Sequence, residues 1–368
     1  MAAMRVTYVL HTAVWGGAET YVARLIQELL GRMTPTVVAP RPVPERLLRA
    51  LPSGVEVRTV DGVGRKGDLG ALVRLVRTVR STRPDLVHVN QSTPANNRYG
   101  LLAARLSGAP FLSTVHSPEP ARSRPQKLLL PLLFRDVRTV ITVSDETQEL
   151  LVRTLRVPSA RIRVVPNGVP LPDRPARRRT GGGQPVVAGS VGRLVREKGF
   201  DVLLDALDLV VRERPGVCLR IAGEGPQRAT LEARAHDLPV SLVGEVTDTA
   251  SFLDDLDVFC LSSRREGLPF ALLEAMAMGV PCIATDVGQV RTALGAAVLV
   301  VPPEQPSALA QALRQLADAP SVRASLGEKG RALVENRYDV RLMAARTMEL
   351  YEQAVTRATD GRREPERT

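Results

Sequence analysis

Four groups of residues in this chain have types and spacings that can do chemistry. Arg193 and Lys198 stand five apart in VGRLVREKGF, where an apolar run ends at Val191-Gly192 and an amphipathic segment opens at Gly199-Phe200. A forked guanidinium and a compact ammonium in such a loop suit a diphosphate, and would equally serve as solvated surface charges. Glu266 and Glu274 stand eight apart in SSRREGLPFALLEAMAMGVP, with Gly267 and Leu268 just before Pro269. Pro269 and the stop at Gly279 frame a short helix, Phe270–Met278. The free amides at its start can seat a phosphate. Glu274, among Ala, Leu and Met on that helix, is a carboxylate near the core boundary that needs donors, and sugar hydroxyls are good ones. Gly16-Gly17 in HTAVWGGAET either lets the backbone close on a ligand at a helix start or makes a tight turn. Glu19 at that helix start is favoured by the helix dipole in any case. His116 ends the run FLSTVH and reads either as a functional imidazole or as a structural hydrogen-bonder.

Strands must carry these loops. Short apolar runs alternate with helical periods throughout: Val6–Leu10, Thr36–Ala39, Val55–Val60, Leu86–Val89, Phe111–Val115, Val140–Val143 and Ile162–Val165 in the first half. Helical periods between them cover Ala18–Leu30, Leu69–Arg80, Ala95–Leu106, Gln126–Phe134 and Glu146–Leu155. The second half repeats the pattern at Val186–Val191, Val217–Ala222, Val240–Val243, Val258–Leu261, Cys282–Thr285 and Val298–Val301. Such alternation means βαβ units and parallel, doubly wound sheets. The expected organisation is α/β: a Rossmann-like domain over 1–172, a Pro/Arg/Gly linker over 173–185, and a second Rossmann-like domain over 186–340. The two would face each other across a cleft, with a last helix over 341–358 crossing back to the first. The tail GRREPERT is too polar to fold alone. Ligands in such sheets lie beyond the carboxyl ends of the strands, where all four groups fall.

Composition excludes other classes. With 44% hydrophobic and 24% charged residues over 368, the chain is neither disordered nor collagen-like. No apolar run reaches a membrane span, and the start reads as a first strand rather than a signal peptide, so a cytoplasmic protein is expected. Cys218, Cys260 and Cys282 lie apart in apolar stretches and read as reduced, buried thiols. The net charge of +11 is lopsided: residues 1–172 carry +12 and residues 186–368 carry −4. A basic half suggests an anionic partner, a phosphorylated substrate or a peripheral membrane surface. Arg74, Arg77 and Arg80 on one helical period and the apolar edge QKLLLPLLFR (Gln126–Arg135) could serve a membrane, or could be ordinary sheet-covering helices. Nucleic acid does not fit, since aromatics are only 3% and no stacking platform is evident. Asp255-Leu256-Asp257 has a spacing used for manganese elsewhere, but it sits at a helix-to-strand passage and reads as a helix end. The loop VHVNQSTPANN offers Asn90, Gln91 and Asn96 to acceptor hydroxyls, or to turn chemistry.

Taken in order, WGGAE, VVPNGV (Val164–Val169), the Arg193/Lys198 loop and Glu266…Glu274 resemble the retaining glycosyltransferases of family 4, with the GT-B fold, over residues 4–355. The resemblance implies that Arg193 and Lys198 hold a nucleotide diphosphate and that Glu274 holds the ribose hydroxyls. It implies that Glu266 faces the donor sugar beside the Gly267 and Leu268 amides. Gly16 and Gly17 would close over the diphosphate, His116 would lie near the sugar's C6 hydroxyl and the reacting centre, and Val243-Gly244-Glu245 would line the base. The implied activity is retaining transfer of a hexose or N-acetylhexosamine from a nucleotide sugar to an acceptor hydroxyl, with a UDP-sugar favoured and GDP-mannose the other donor. A front-face reaction, with the departing phosphate taking the acceptor's proton, is the implied mechanism. The acceptor is a polysaccharide or glycolipid, or else a small natural product. No metal or other cofactor is expected, because cations and helix amides can neutralise the leaving diphosphate. The alternative reading is a non-catalytic nucleotide-sugar-binding or scaffolding protein on the same fold.

Overall fold

The computed structural model describes the chain except residues 1–2, 12–14, 64–67, 120–122, 177–184 and 364–368. Most of the expected linker, 173–185, therefore lies outside the described residues, as does the end of the polar tail. The chain divides into two compact units. Unit 1 is Met1–Gly168 with Val340–Thr368, and unit 2 is Val169–Asp339.

Unit 1 is built on β1 (Met4–Val9), β2 (Met33–Pro40), β3 (Glu56–Val60), β4 (Leu86–Gln91), β5 (Phe111–Val115), β6 (Thr139–Thr142) and β7 (Ile162–Val164). They form one parallel sheet in the order β3-β2-β1-β4-β5-β6-β7. Every residue of β4 and β5 is buried, as expected of central strands covered on both faces. Unit 2 is built on β8 (Val186–Val191), β9 (Val217–Ala222), β10 (Val240–Gly244), β11 (Val258–Leu261), β12 (Cys282–Thr285) and β13 (Leu299–Val301), in the parallel order β10-β9-β8-β11-β12-β13. Winding reverses between β1 and β4 in unit 1, and between β8 and β11 in unit 2. Those two switch points are where a doubly wound sheet opens a crevice beyond its carboxyl ends.

Helices cover both faces because their apolar residues recur on one stripe. The helix Phe200–Glu213, for example, buries Phe200, Leu203, Leu204, Leu207 and Val210 against the sheet of unit 2. Several elements differ from the sequence expectation. The helix expected from Ala95 begins at Arg98, because Asn97 adopts a left-handed conformation (φ 55°) and caps it, accepting from Gly100 N. Two short helices, Glu45–Ala50 and Arg228–Arg234, carry one buried leucine each and left no apolar period to read. The last helix runs from Val340 to Arg363, so Gly361–Arg363 of the tail continue it; extending a nucleated helix needs no apolar side chains. This helix belongs to unit 1 and packs on the helix Gly17–Leu29 and on β4. Gly168, in VVPNGV, lies so close to Val340 that a Cβ there would strike its backbone. Cys260 and Cys282 are buried free thiols, whereas Cys218 is only half-buried.

Candidate functional site

In unit 2 the loop after β8 and the loop after β11 flank the switch point, and their side chains meet. Lys198 Nζ donates to Glu266 Oε1, joining residues 68 positions apart. Ser263 donates to the same carboxylate oxygen at 2.9 Å, and Ser262 donates to the Lys198 carbonyl at 3.1 Å. Lys198 and Glu266 are part-buried, with side chains 26% and 14% exposed, so their charges act in a medium less screening than bulk water. Lys198 is thus not a lone cation, as its loop alone suggested, but half of an ion pair. Arg193 is exposed, and no side-chain partner is found for it among the described residues.

The backbone of this edge is closely fitted. Gly199 (φ +63°) ends the short 3₁₀ turn Arg196–Lys198, and a Cβ there would strike the Ser262 carbonyl. Gly223 follows β9 against the Gly192 carbonyl with the same constraint. Gly267 and the Glu266 carbonyl pack on Gly288, while Leu268 is buried in the core and anchors the loop. Pro269 is the N-cap of the eight-residue helix Phe270–Ala277, and the first amides of any helix point outward past its N-terminus rather than to an acceptor within it. Glu274 is half-buried on that helix. Val243, 39% exposed, and Gly244 end the edge strand β10, where Gly223 N donates to Gly244 O at 2.7 Å, with Glu245 next in the chain. Asp255 follows the helix Thr249–Asp254 and pairs with Arg220 at 2.8 Å, while Asp257 accepts from Val187 N. Among the described residues no group of three or more His, Cys, Asp or Glu is disposed to hold a metal ion.

The corresponding edge of unit 1 holds neutral groups. His116 follows β5; its Nε2 lies 2.8 Å from Asn90 Oδ1 at the end of β4, and its ring meets Tyr21 edge-on at 4.8 Å. Asn90 donates to the Ala18 carbonyl at 3.0 Å, in the first turn of the helix Gly17–Leu29 that Gly16 caps. Below it, His88 Nδ1 lies 2.6 Å from the Tyr351 hydroxyl of the last helix and Nε2 2.7 Å from Thr114. Burial pushes His116 down to about 3, and burial aided by the nearby His116 does the same for His88, so both are neutral at pH 7. Burial also lifts Glu19 to about 7, against the pull of the Glu19 and Gly16 amides. A Cβ at Gly16 would sit 3.3 Å from Glu19 Oε2, so the carboxylate would have to shift by a few tenths of an ångström to admit one.

The structure therefore brings Lys198 and Glu266 together and sets Gly16 and Gly17 at the switch point of unit 1, where His116 is tied to their helix through Asn90. Three polar residues expected to read an acceptor are spent internally: Asn90 as above, Gln91 on Pro94 O, Asn96 O and Ser113, and Asn96 on Ser92. Ser263 and Gly223 do not stand out in the sequence, Gly199 stands there only as a helix start, and Glu19 only as a dipole partner. The run AGEG after β9 was the available signal for Gly223.

Residues 15–172 match the family described as Glycosyltransferase Family 4, and residues 185–319 match Glycosyl transferases group 1. The chain is 30% identical over 317 residues to a glycogen synthase of Mycobacterium tuberculosis, covering 81% of this chain and 74% of that protein. It is 37% identical over 174 residues to a GDP-mannose-dependent monoacylated alpha-(1-6)-phosphatidylinositol monomannoside mannosyltransferase of Corynebacterium glutamicum, covering 44% of this chain and 45% of that one. The crystal structure of Anabaena Alr3699/HepE with UDP-glucose superposes with a TM-score of 0.80 at 18% identity, over 95% of this chain and 100% of that one. Two parallel switch-point sheets and a relative matched over three quarters of its length lead to one assignment: the chain belongs to glycosyltransferase family 4, with the GT-B fold.

Proposed function

We propose that the protein is a retaining glycosyltransferase that moves a hexose or N-acetylhexosamine from a UDP-sugar to an acceptor hydroxyl. The observation that carries this reading is the Lys198–Glu266–Ser263 cluster at the switch point of unit 2, beside Arg193 and the N-terminus of the helix Phe270–Ala277. As the sugar–phosphate bond breaks, negative charge grows on the departing diphosphate. Lys198, Arg193 and the Gly267–Leu268 backbone at that helix start stabilise it where it forms. The Glu266 carboxylate orients Lys198 and accepts from sugar hydroxyls, and Glu274 accepts from the ribose. Val243-Gly244-Glu245 lie along the base. In unit 1, Gly16, Gly17 and the neutral His116 form an edge suited to uncharged, hydroxyl-rich groups. The UDP and UDP-glucose of the structural neighbours favour a uridine donor, while the mannosyltransferase relative keeps GDP-mannose as the second donor to try.

The acceptor is a polysaccharide or glycolipid, with a small natural product as the other class. Unit 1 supports a peripheral contact with an anionic membrane. Leu128, Leu129 and Leu132 are 76%, 40% and 59% exposed on the helix Arg124–Phe134, beside Lys127 and Arg135. The helix Leu69–Ser81 is a poorer candidate than its sequence suggested, since Arg74 bonds Asp61 O and Asp68, and Arg80 bonds Leu106 O. No helix among the described residues is long and apolar enough to cross a membrane.

The test is nucleotide release from UDP-hexoses, UDP-N-acetylhexosamines and GDP-mannose with a panel of acceptors, the product anomer being read by NMR. One donor should turn over with retention, activity should survive EDTA, and Lys198→Ala should lower turnover about 10²-fold or more. Inversion, loss of activity with EDTA restored by Mn²⁺, or normal turnover in Lys198→Ala would each remove the corresponding part of the reading.

A further inference from the structure

The hydrogen bonds around Asn90 fix something that the position of His116 alone does not. The Ala18 carbonyl can only accept, so the Asn90 atom 3.0 Å from it must be the amide nitrogen. The atom turned to His116 is then the amide oxygen, which also can only accept, and the imidazole nitrogen 2.8 Å away must carry a proton. His116 is therefore protonated at Nε2. Surrounding protein atoms keep the ring neutral, which leaves Nδ1 with a lone pair. No partner for Nδ1 is found among the described residues.

We infer that Asn90 is a positioning residue that sets the tautomer of His116, so that His116 meets its substrate as a hydrogen-bond acceptor through Nδ1. This rests on the reading that the unit 1 edge binds sugar hydroxyls. It deepens that reading by specifying the partner, a hydroxyl that donates its proton to the imidazole. The same side chain carries a second tie. By bonding Ala18 O, Asn90 holds the first turn of the helix that follows Gly16-Gly17, so the ring and the glycine turn are registered on one amide. The tie to Ala18 crosses the gap between β1 and β4, where neighbouring strands are followed by helices on opposite faces, and the tie to His116 joins the end of β4 to the end of β5. His88 cannot substitute for this role: both its ring nitrogens are occupied, by Tyr351 and Thr114.

The experiment is two-dimensional ¹H–¹⁵N NMR of the imidazole rings in the full-length protein, tractable because the chain has four histidines. His116→Asn assigns the signal, and turnover and nucleotide affinity are measured on the same samples. The expected wild-type pattern is Nε2–H at His116. Asn90→Ala should give mixed tautomers and a fall in turnover of at least about tenfold at unchanged nucleotide affinity, because part of the population presents a donor in place of an acceptor. Asn90→Asp keeps an acceptor facing Nε2 and should retain the wild-type tautomer while losing the tie to Ala18. A wild-type Nδ1–H pattern would overturn the inference even if Asn90→Ala failed to fold. So would an Asn90→Ala protein with wild-type tautomer and turnover while His116→Ala is inactive, a result that leaves the wider reading standing. Wild-type turnover in His116→Ala would instead remove His116 from the proposed function itself.

Discussion

The two units use the same sheet winding and opposite electrostatics. At its switch point unit 2 sets ion pairs: Lys198 with Glu266, and, nearby, Arg264 with Asp201 and Glu304 at 2.8 and 2.9 Å. The Arg264 hydrogen bonds and charge hold Asp201 below the usual carboxylate range. Unit 1, although it carries most of the positive charge of the chain, lines its switch point with uncharged groups: His88, His116, Asn90, Tyr21 and a Glu19 poised near neutrality. Charge at the unit 2 edge suits a diphosphate; neutral donors and acceptors at the unit 1 edge suit hydroxyls. A shared fold thus says little about what each half binds, and the loops after the strands decide it.

Acid should break the comparison most strongly. Folded His88 and His116 titrate at about 3, well below the ordinary 6.5, so on acidification the unfolded chain takes up their protons first. Their contribution is complete above pH 6.5 and is lost as pH falls toward 3, on the order of 5 kcal/mol for the pair by pH 4.5. Hydrogen exchange should show β4 and β5 of unit 1 losing protection at pH 4.5 while β8 and β11 of unit 2 keep theirs. Equal loss in both units would remove the distinction.

Glu19 has the opposite sign. Its folded value of about 7 lies above the ordinary 4.5, so its contribution is complete below pH 4.5 and is lost as pH rises through 7. Glu19→Gln should be more stable than wild type at pH 8 by on the order of 3 kcal/mol, with the difference vanishing near pH 4.5. Urea melts at the two pH values read this directly, and a pH-independent difference would mean that the carboxyl is not buried as described. A smaller effect is expected at Glu274, where Ala should weaken nucleotide binding about tenfold, the loss of one charge-assisted hydrogen bond. The smallest is expected at Arg220–Asp255: the Asp255 side chain is 64% exposed, so Asp255→Asn should cost less than about 1 kcal/mol and leave activity unchanged.

Much of the fold was legible because a buried parallel strand is a short apolar run, and the thirteen strands among the described residues coincide with such runs to within a few residues. What was not legible depended on partners distant in sequence. Glu45–Ala50 buries only Leu47 and has no stripe to read. In the site, the loops and their glycines were legible from residue type, but the Lys198–Glu266 pair depends on β8 lying beside β11, a neighbour relation no local pattern carries. Asn90 read as turn chemistry because the imidazole it faces is 26 residues away on the next strand. Glu19 was misjudged because its burial comes from packing around the helix start rather than from the spacing of its own helix.

The central claim is that the charged switch point of unit 2 holds a nucleotide diphosphate. Calorimetric titration of UDP and GDP into the wild-type protein and into Lys198→Ala tests it most directly. One nucleotide should bind the wild type and bind Lys198→Ala at least about tenfold more weakly, with Asp255→Asn unchanged. Equal affinity in wild type and Lys198→Ala would place the diphosphate elsewhere and contradict it.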